Sequence, residues 1–191
     1  MSIIAVGGHS RKTGKTSAVC GIIRAFPDLA WTAVKISSHP HSNQLSDEPF
    51  ILEEKSNSGN VDSSRYREAG AHRAFWAQAN PDRNDLEELL APIVKSSRYL
   101  IIESNAAIVQ LQPDFSIMVV NWEVEEFKES AKQILPRAHA LLAVNWDSQP
   151  PQWKGIQDEL LFSIPLFPTN NPSVIPSKLI ELVKSALAKQ N

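Results

Sequence analysis

Ser2-Ile3-Ile4-Ala5-Val6-Gly7-Gly8-His9-Ser10-Arg11-Lys12-Thr13-Gly14-Lys15-Thr16-Ser17 reads from an apolar strand through a tight loop into a helix. The order is that of a phosphate-binding loop, usually G-x-x-x-x-G-K-[ST]. There the backbone N–H groups wrap the phosphates, the lysine reaches the terminal ones and the hydroxyl holds Mg²⁺. Gly14-Lys15-Thr16 fits this form. His9 stands where the first glycine is expected and Gly8 lies one residue further back, so the loop should be slightly wider than usual. The candidate nucleotide-binding residues are Gly8, His9, Ser10, Arg11, Lys12, Thr13, Gly14, Lys15, Thr16 and Ser17. Arg11 and Lys12 either contact phosphate or an anionic second substrate, or project into water.

The flanks support the motif. Residues 3–6 are a short apolar run, as a buried parallel strand is. Val19, Ile22, Ile23 and Phe26 then recur at helical spacing until Pro27 stops them. A helix opening at Thr16 points its unpaired N–H groups and the positive end of its dipole at an anion.

The totals set limits. The 191 residues suit one domain over 1–191, with one sizeable core. Apolar residues at 42% and charged residues at 21% are globular proportions, which excludes a disordered or coiled-coil chain. A formal net charge of −2 advertises no strongly basic surface for nucleic acid and leaves room only for a local basic patch. The lone Cys20 excludes an internal disulfide and reads as a small buried hydrophobe. No apolar run is long enough to span a membrane and no basic-then-apolar leader opens the chain, so the expected location is the cytoplasm.

Outward from the loop, residues 31–36 read as a second strand carrying Lys35 near its end. A dinucleotide-binding unit wants an acid there and a G-x-G-x-x-G turn, and both are missing, which argues against a dehydrogenase. Residues 37–62 read as a long loop, followed by a short helix over 63–69 with Asp62 as its cap and Gly70 as its end. Residues 73–77 are a further strand. Asn84 or Asp85 opens a helix whose buried face is Leu86, Leu89, Leu90, Ile93 and Val94, with Pro92 expected to kink or shorten it. Residues 99–102, 115–120 and 140–144 are strand-length apolar runs. Val124, Phe127, Ala131, Ile134 and Leu135 mark a helix between the last two. Residues 164–167 form a last strand, and Leu179, Leu182, Val183, Ala186 and Leu187 a closing helix. The alternation implies an α/β fold with three layers, α/β/α, around a mostly parallel sheet.

In such a sheet the polar residues at the strand ends converge on the loop. Glu103 follows an apolar run, where a carboxylate holds Mg²⁺ directly or through water. Thr16, Asp62 and Glu103 are the candidate metal residues, although a helix cap would explain Asp62 equally well. Lys15, Lys35 and Glu103 are the candidate catalytic residues, Lys35 either adding charge over a transferring phosphoryl group or standing as a surface lysine. His39 and His41 are two histidines without a fixed third ligand and read as loop residues rather than a zinc site. Asn145, at a strand end, can read the edge of a nucleotide base or simply form a turn.

Two families come into view from these residues. Gly14-Lys15-Thr16, Val34-Lys35 followed by His39 and His41, and the 62–71 stretch resemble the molybdopterin-guanine dinucleotide biosynthesis protein B family of P-loop NTPases. That stretch, Asp62-Ser63-Ser64-Arg65-Tyr66-Arg67-Glu68-Ala69-Gly70-Ala71, is similar to the family's D-x-x-R-x-x-x-A-G-A segment. The five-residue spacing of Gly8 and Gly14, the lysine of the second strand and the strand-end glutamate resemble dethiobiotin synthetase. Ser104-Asn105 departs from both patterns, and Asn145-Trp146-Asp147-Ser148 departs from the N-K-x-D pattern that selects guanine.

The resemblance implies a nucleoside triphosphate ligand, ATP or GTP, with Mg²⁺, and either phosphoryl transfer or hydrolysis. A nucleotide-gated adapter without catalysis and a ligase acting on a small amine or acid are the alternatives. A small-molecule or protein partner is expected at the 37–62 loop, and a homodimer by analogy with the relatives. No nucleic acid or membrane partner is expected.

Overall fold

A computed structural model describes residues 1–37, 48–58, 61–79, 85–147, 151 and 153–188. Its strands are β1 (Ser2–Gly8), β2 (Trp31–Ser37), β3 (Phe50–Glu54), β4 (Arg73–Gln78), β5 (Tyr99–Glu103), β6 (Phe115–Asn121), β7 (Ala140–Val144) and β8 (Leu166–Thr169). Its helices are α1 (Lys15–Ala25), α2 (Asp62–Glu68), α3 (Leu86–Ser96), α4 (Asn105–Gln110), α5 (Glu129–Ile134), α6 (Asp158–Ser163) and α7 (Ser177–Ala188).

The strands form one sheet in the order β3-β4-β2-β5-β1-β6-β7-β8. Every pairing is parallel except that of β3 with β4. Parallel strands covered on both faces lose the polar alternation of one-sided sheets. That is why Ile4, Ala5 and Val6, or Leu100, Ile101 and Ile102, are all fully buried. Ile4, Val6, Ala33, Ile101 and Val119 point to one face, where α1, α2 and α7 lie with Cys20, Tyr66 and Leu179. Ala5, Met118 and Val120 meet α4, α5 and α6 on the other face, and Val34, Phe75 and Ile102 meet α3 and α4 there. The three layers expected from the sequence are present.

Several elements differ from expectation. The 37–62 stretch contains β3, an antiparallel edge strand tied to β4 by Arg73, which grips both oxygens of Glu53 at 2.7 and 3.0 Å. Asp62 is the first residue of α2 and not its cap; Val61 is the cap and offers no side-chain acceptor. Pro92 does not end α3, which runs on to Ser96 with Pro92 and Glu88 both on its exposed side. Val124 and Phe127 lie outside α5. Their stretch is committed elsewhere: Lys128 N–H donates to His9 O (2.9 Å) and Val124 O accepts from Trp153 Nε1 (2.9 Å). The last strand begins at Leu166, two residues later than expected, and α4 and α6 are additional. His39, His41, Asn84 and Ser148 lie outside the described residues.

Candidate functional site

The carboxyl ends of β1, β2, β5, β6, β7 and β8 share one rim of the sheet, and the loop from His9 to Gly14 crosses it at β1. Gly8 sits under the stem of Lys15. A β-carbon at Gly8 would come within 2.9 Å of Lys15 Cγ and Cδ and 2.8 Å of Thr13 Oγ1. The glycine that is misplaced by the usual spacing therefore serves the wider loop by letting the lysine fold across it. Gly14 takes a left-handed turn (φ 102°) into α1, and Lys12 is also left-handed (φ 56°). Lys15 Nζ donates to Ser10 O at 2.6 Å, and Thr13 Oγ1 donates to the same carbonyl at 3.4 Å.

Backbone amides make this loop an anion cradle. Among the described residues, no N–H from Ser10 to Ser17 donates to a protein group; helical bonding resumes with Ala18 N–H to Gly14 O at 2.9 Å. Backbone donors are almost always paired, so a consecutive run of unpaired ones marks a place for an outside acceptor. Burial lowers the pKa of Lys15; the Glu103 carboxylate opposes that shift and Lys35 adds to it.

The loop is fixed from beneath by residues the sequence did not reveal in this role. Asn105 receives the Gly8 N–H at 2.9 Å and returns its own amide to Gly8 O at 3.1 Å. Ser10 donates its hydroxyl to Glu126, which holds that carboxyl below its ordinary value. His9 is fully buried, with its ring 5.2 Å from both Phe127 and Trp153 and its Nε2 accepting Asn121 N–H at 3.1 Å. Burial, the largest cause, brings its pKa down to about 4, so the ring is neutral. Its backbone N–H donates to Val119 O at 3.3 Å, so His9 extends the sheet by one link; with Nε2 accepting, the ring proton sits on Nδ1, which is buried without a partner among the described residues.

Beside the loop, Glu103 closes β5 with only 1% of its surface exposed. Three donors converge on it: Thr16 Oγ1 at 2.8 Å, the Lys35 ammonium and the Tyr66 hydroxyl. Burial first, and then this carboxylate, raise the Tyr66 pKa well above its ordinary value, so the phenol stays a donor. Lys35 also meets Asp62 Oδ2 at 3.2 Å, and Asp62 Oδ1 lies 3.7 Å from Arg65. Arg65 in turn donates to Ser17 Oγ at 3.2 Å. The 62–71 stretch thus delivers Asp62, Arg65 and Tyr66 to the site and buries Ala69 and Ala71 behind it.

One ammonium nitrogen bridges Asp62 and Glu103, so the two carboxylates converge within reach of a single cation, with the Thr16 hydroxyl on the same glutamate. An all-oxygen set of this kind suits Mg²⁺, which keeps waters and takes one or two carboxylates plus phosphate oxygens. Among the described residues there is no cluster of three or more His, Cys, Asp or Glu side chains that would suit another metal.

Of the remaining candidates, Arg11 and Lys12 are exposed on the loop's outer side. Asn145 ends β7 in a left-handed turn (φ 52°), with its N–H on Thr169 O at 3.0 Å, the conformation a turn-forming asparagine tolerates. The turn after β8 reaches the loop itself, since a β-carbon on Gly14 would come within 2.7 Å of Pro172. No helix among the described residues is long and apolar enough to cross a membrane.

No protein-family model matches the sequence, and no curated protein matches it. Solved structures do. HypB from Helicobacter pylori, in complex with nickel, aligns with a TM-score of 0.58 at 14% identity over 98% of this chain and 87% of that one. LpxK from Aquifex aeolicus, in complex with ATP, aligns with a TM-score of 0.52 at 16% identity over 88% of this chain and 53% of that one, so the chain spans about half of LpxK. MobB from Bacillus subtilis aligns with a TM-score of 0.44 at 16% identity over 97% and 98%, and at that score supports no argument. HypB and LpxK are P-loop NTPases, and this chain has the P-loop NTPase fold.

Proposed function

We propose that this chain is a Mg²⁺-dependent protein that binds ATP or GTP and transfers or hydrolyses the terminal phosphoryl group. The run of unpaired amides from Ser10 to Ser17, closed by Lys15, carries the reading. Those N–H groups would hold the phosphate chain, Lys15 would leave the Ser10 carbonyl for a terminal phosphate oxygen, and Lys35 would offset charge gathering during transfer. Thr16, Glu103 and Asp62 would hold Mg²⁺, which when bound neutralises phosphate charge and fixes the angle of the polyphosphate. Catalysis is then mainly positioning and charge balance.

The rest of the reading follows from the sequence. The segment over 62–71 supports kinship with the molybdopterin-guanine dinucleotide accessory proteins. Residues 1–191 would work as one domain, in the cytoplasm, as a homodimer, with a second substrate or protein partner near residues 37–62. Asn145 would face the base.

Lys15→Ala is the decisive variant. ATP or GTP with Mg²⁺ at about a hundred times its Kd stabilises a protein by about 2.7 kcal/mol. Thermal melts of the parent should rise accordingly, and those of Lys15→Ala should not. An undiminished rise in the variant would remove the site.

A further inference from the structure

The described residues of β2, β3, β4 and the start of α2 enclose a cavity of about 620 Å³, with Lys35 and Asp62 on the side that borders the phosphate grip. Trp76 forms one wall, its indole held edge-on to Phe50 at 5.0 Å and its Nε1 donating to Ser37 Oγ at 3.1 Å. Leu52 and Val61 line the opening with 53% and 56% of their surfaces exposed, so an apolar ligand covering them would gain from the water it displaces. The remaining wall carries three carboxylates, Glu53, Glu54 and Asp62, against one ammonium, Lys35. Glu53 is committed to Arg73 through two hydrogen bonds. Glu54 receives only uncharged donors, Ser56 N–H at 2.8 Å and Ser63 Oγ at 3.2 Å, and forms no ion pair among the described residues.

We infer that this cavity binds a small organic ammonium compound with an apolar body. The apolar part lies against Trp76 between Leu52 and Val61, and the ammonium meets Glu54. A carboxylate backed only by neutral donors gains most from a cation, and an aromatic face beside it adds its own attraction. With no nucleotide or Mg²⁺ added, an anion of the same shape would meet Glu54 and Asp62 without a spare cation, because Lys35 is shared between Asp62 and Glu103. That this compound is the second ligand of the nucleotide reaction rests on the function proposed above; the preference for ammonium does not.

The probes are benzylammonium and benzoate, alike in shape and opposite in charge, titrated into the full chain by calorimetry and ligand-observed NMR. Glu54→Gln removes the charge while keeping the amide oxygen to accept from Ser56 N–H and an amide N–H that donates to Ser63 Oγ. Benzylammonium should bind saturably in the millimolar range or below, benzoate at least about tenfold more weakly, and Glu54→Gln should weaken benzylammonium about tenfold. The variant's melting curve, with and without ATP and Mg²⁺, checks its folding and nucleotide binding in the same preparation. Equal binding of benzoate, unchanged binding by a folded Glu54→Gln, or no saturable binding of benzylammonium each overturns the inference. ATP stabilisation without ammonium selectivity leaves the nucleotide reading standing alone. Ammonium selectivity without ATP stabilisation leaves the cavity standing alone.

Discussion

His9 shows how a loop residue can be chosen for what lies under the loop. The sequence offered it as a phosphate contact, because it stands in the place of a glycine. Nothing in its neighbours announced that Phe127 and Trp153, far along the chain, would enclose it. Its neutral state has a measurable cost in acid. The folded pKa of about 4 lies below the ordinary 6.5, so between those values the unfolded chain binds more protons. The stability His9 contributes is complete above about pH 6.5 and is lost as pH falls through 4, about 3 kcal/mol in all. Urea midpoints measured from pH 7 to pH 4 should fall in the parent, and His9→Gln should show a shallower slope. Glu103 was legible, since an acid directly after a buried strand ends at the rim whatever its neighbours are. Tyr66 was not, because one tyrosine on a short helix carries no sign of the carboxylate it will meet.

At the scale of elements, the sequence was readable where burial leaves a continuous mark. β1, β5, β6 and β7 each carry a run of four or more apolar residues, and α1, α3 and α7 repeat their apolar residues at helical spacing. α4 and α6 have six residues each, too few for a period, and in β3 the apolar run Phe50-Ile51-Leu52 gives way to two acids. The joint between loop and α1 depends on Gly14, which combines a positive φ with contact against Pro172. Gly14→Ala adds left-handed strain and a clash, together about 1–3 kcal/mol. Urea unfolding should show that loss, and adding Pro172→Gly should recover the steric share and leave the strain.

For the whole molecule, the parallel sheet followed from alternation of strands and helices, but the strand order did not, because pairing between distant strands leaves no local trace. That order is what sets β5 beside β1 and brings Glu103 to Thr16. Since the cation would join pieces from α1, β5 and α2, its removal should be felt in global unfolding. Chelating Mg²⁺ with EDTA should cut nucleotide affinity by at least about tenfold, or ~1.4 kcal/mol, and shrink the nucleotide-induced rise in melting temperature. An identical rise with and without EDTA would count against Thr16, Glu103 and Asp62 as metal residues.

Ser37 and Phe50 are both paired with Gln78, one from each side of β4. Two strand spacings separate them, about 10 Å, at the same rim of the sheet. The twelve residues between them therefore leave and rejoin the scaffold almost at one doorway, and no rethreading is needed to alter what comes between. Because closure entropy grows by only about 0.6 kcal/mol for each doubling of length, anchors this close would accept a longer or shorter connection at little cost in stability.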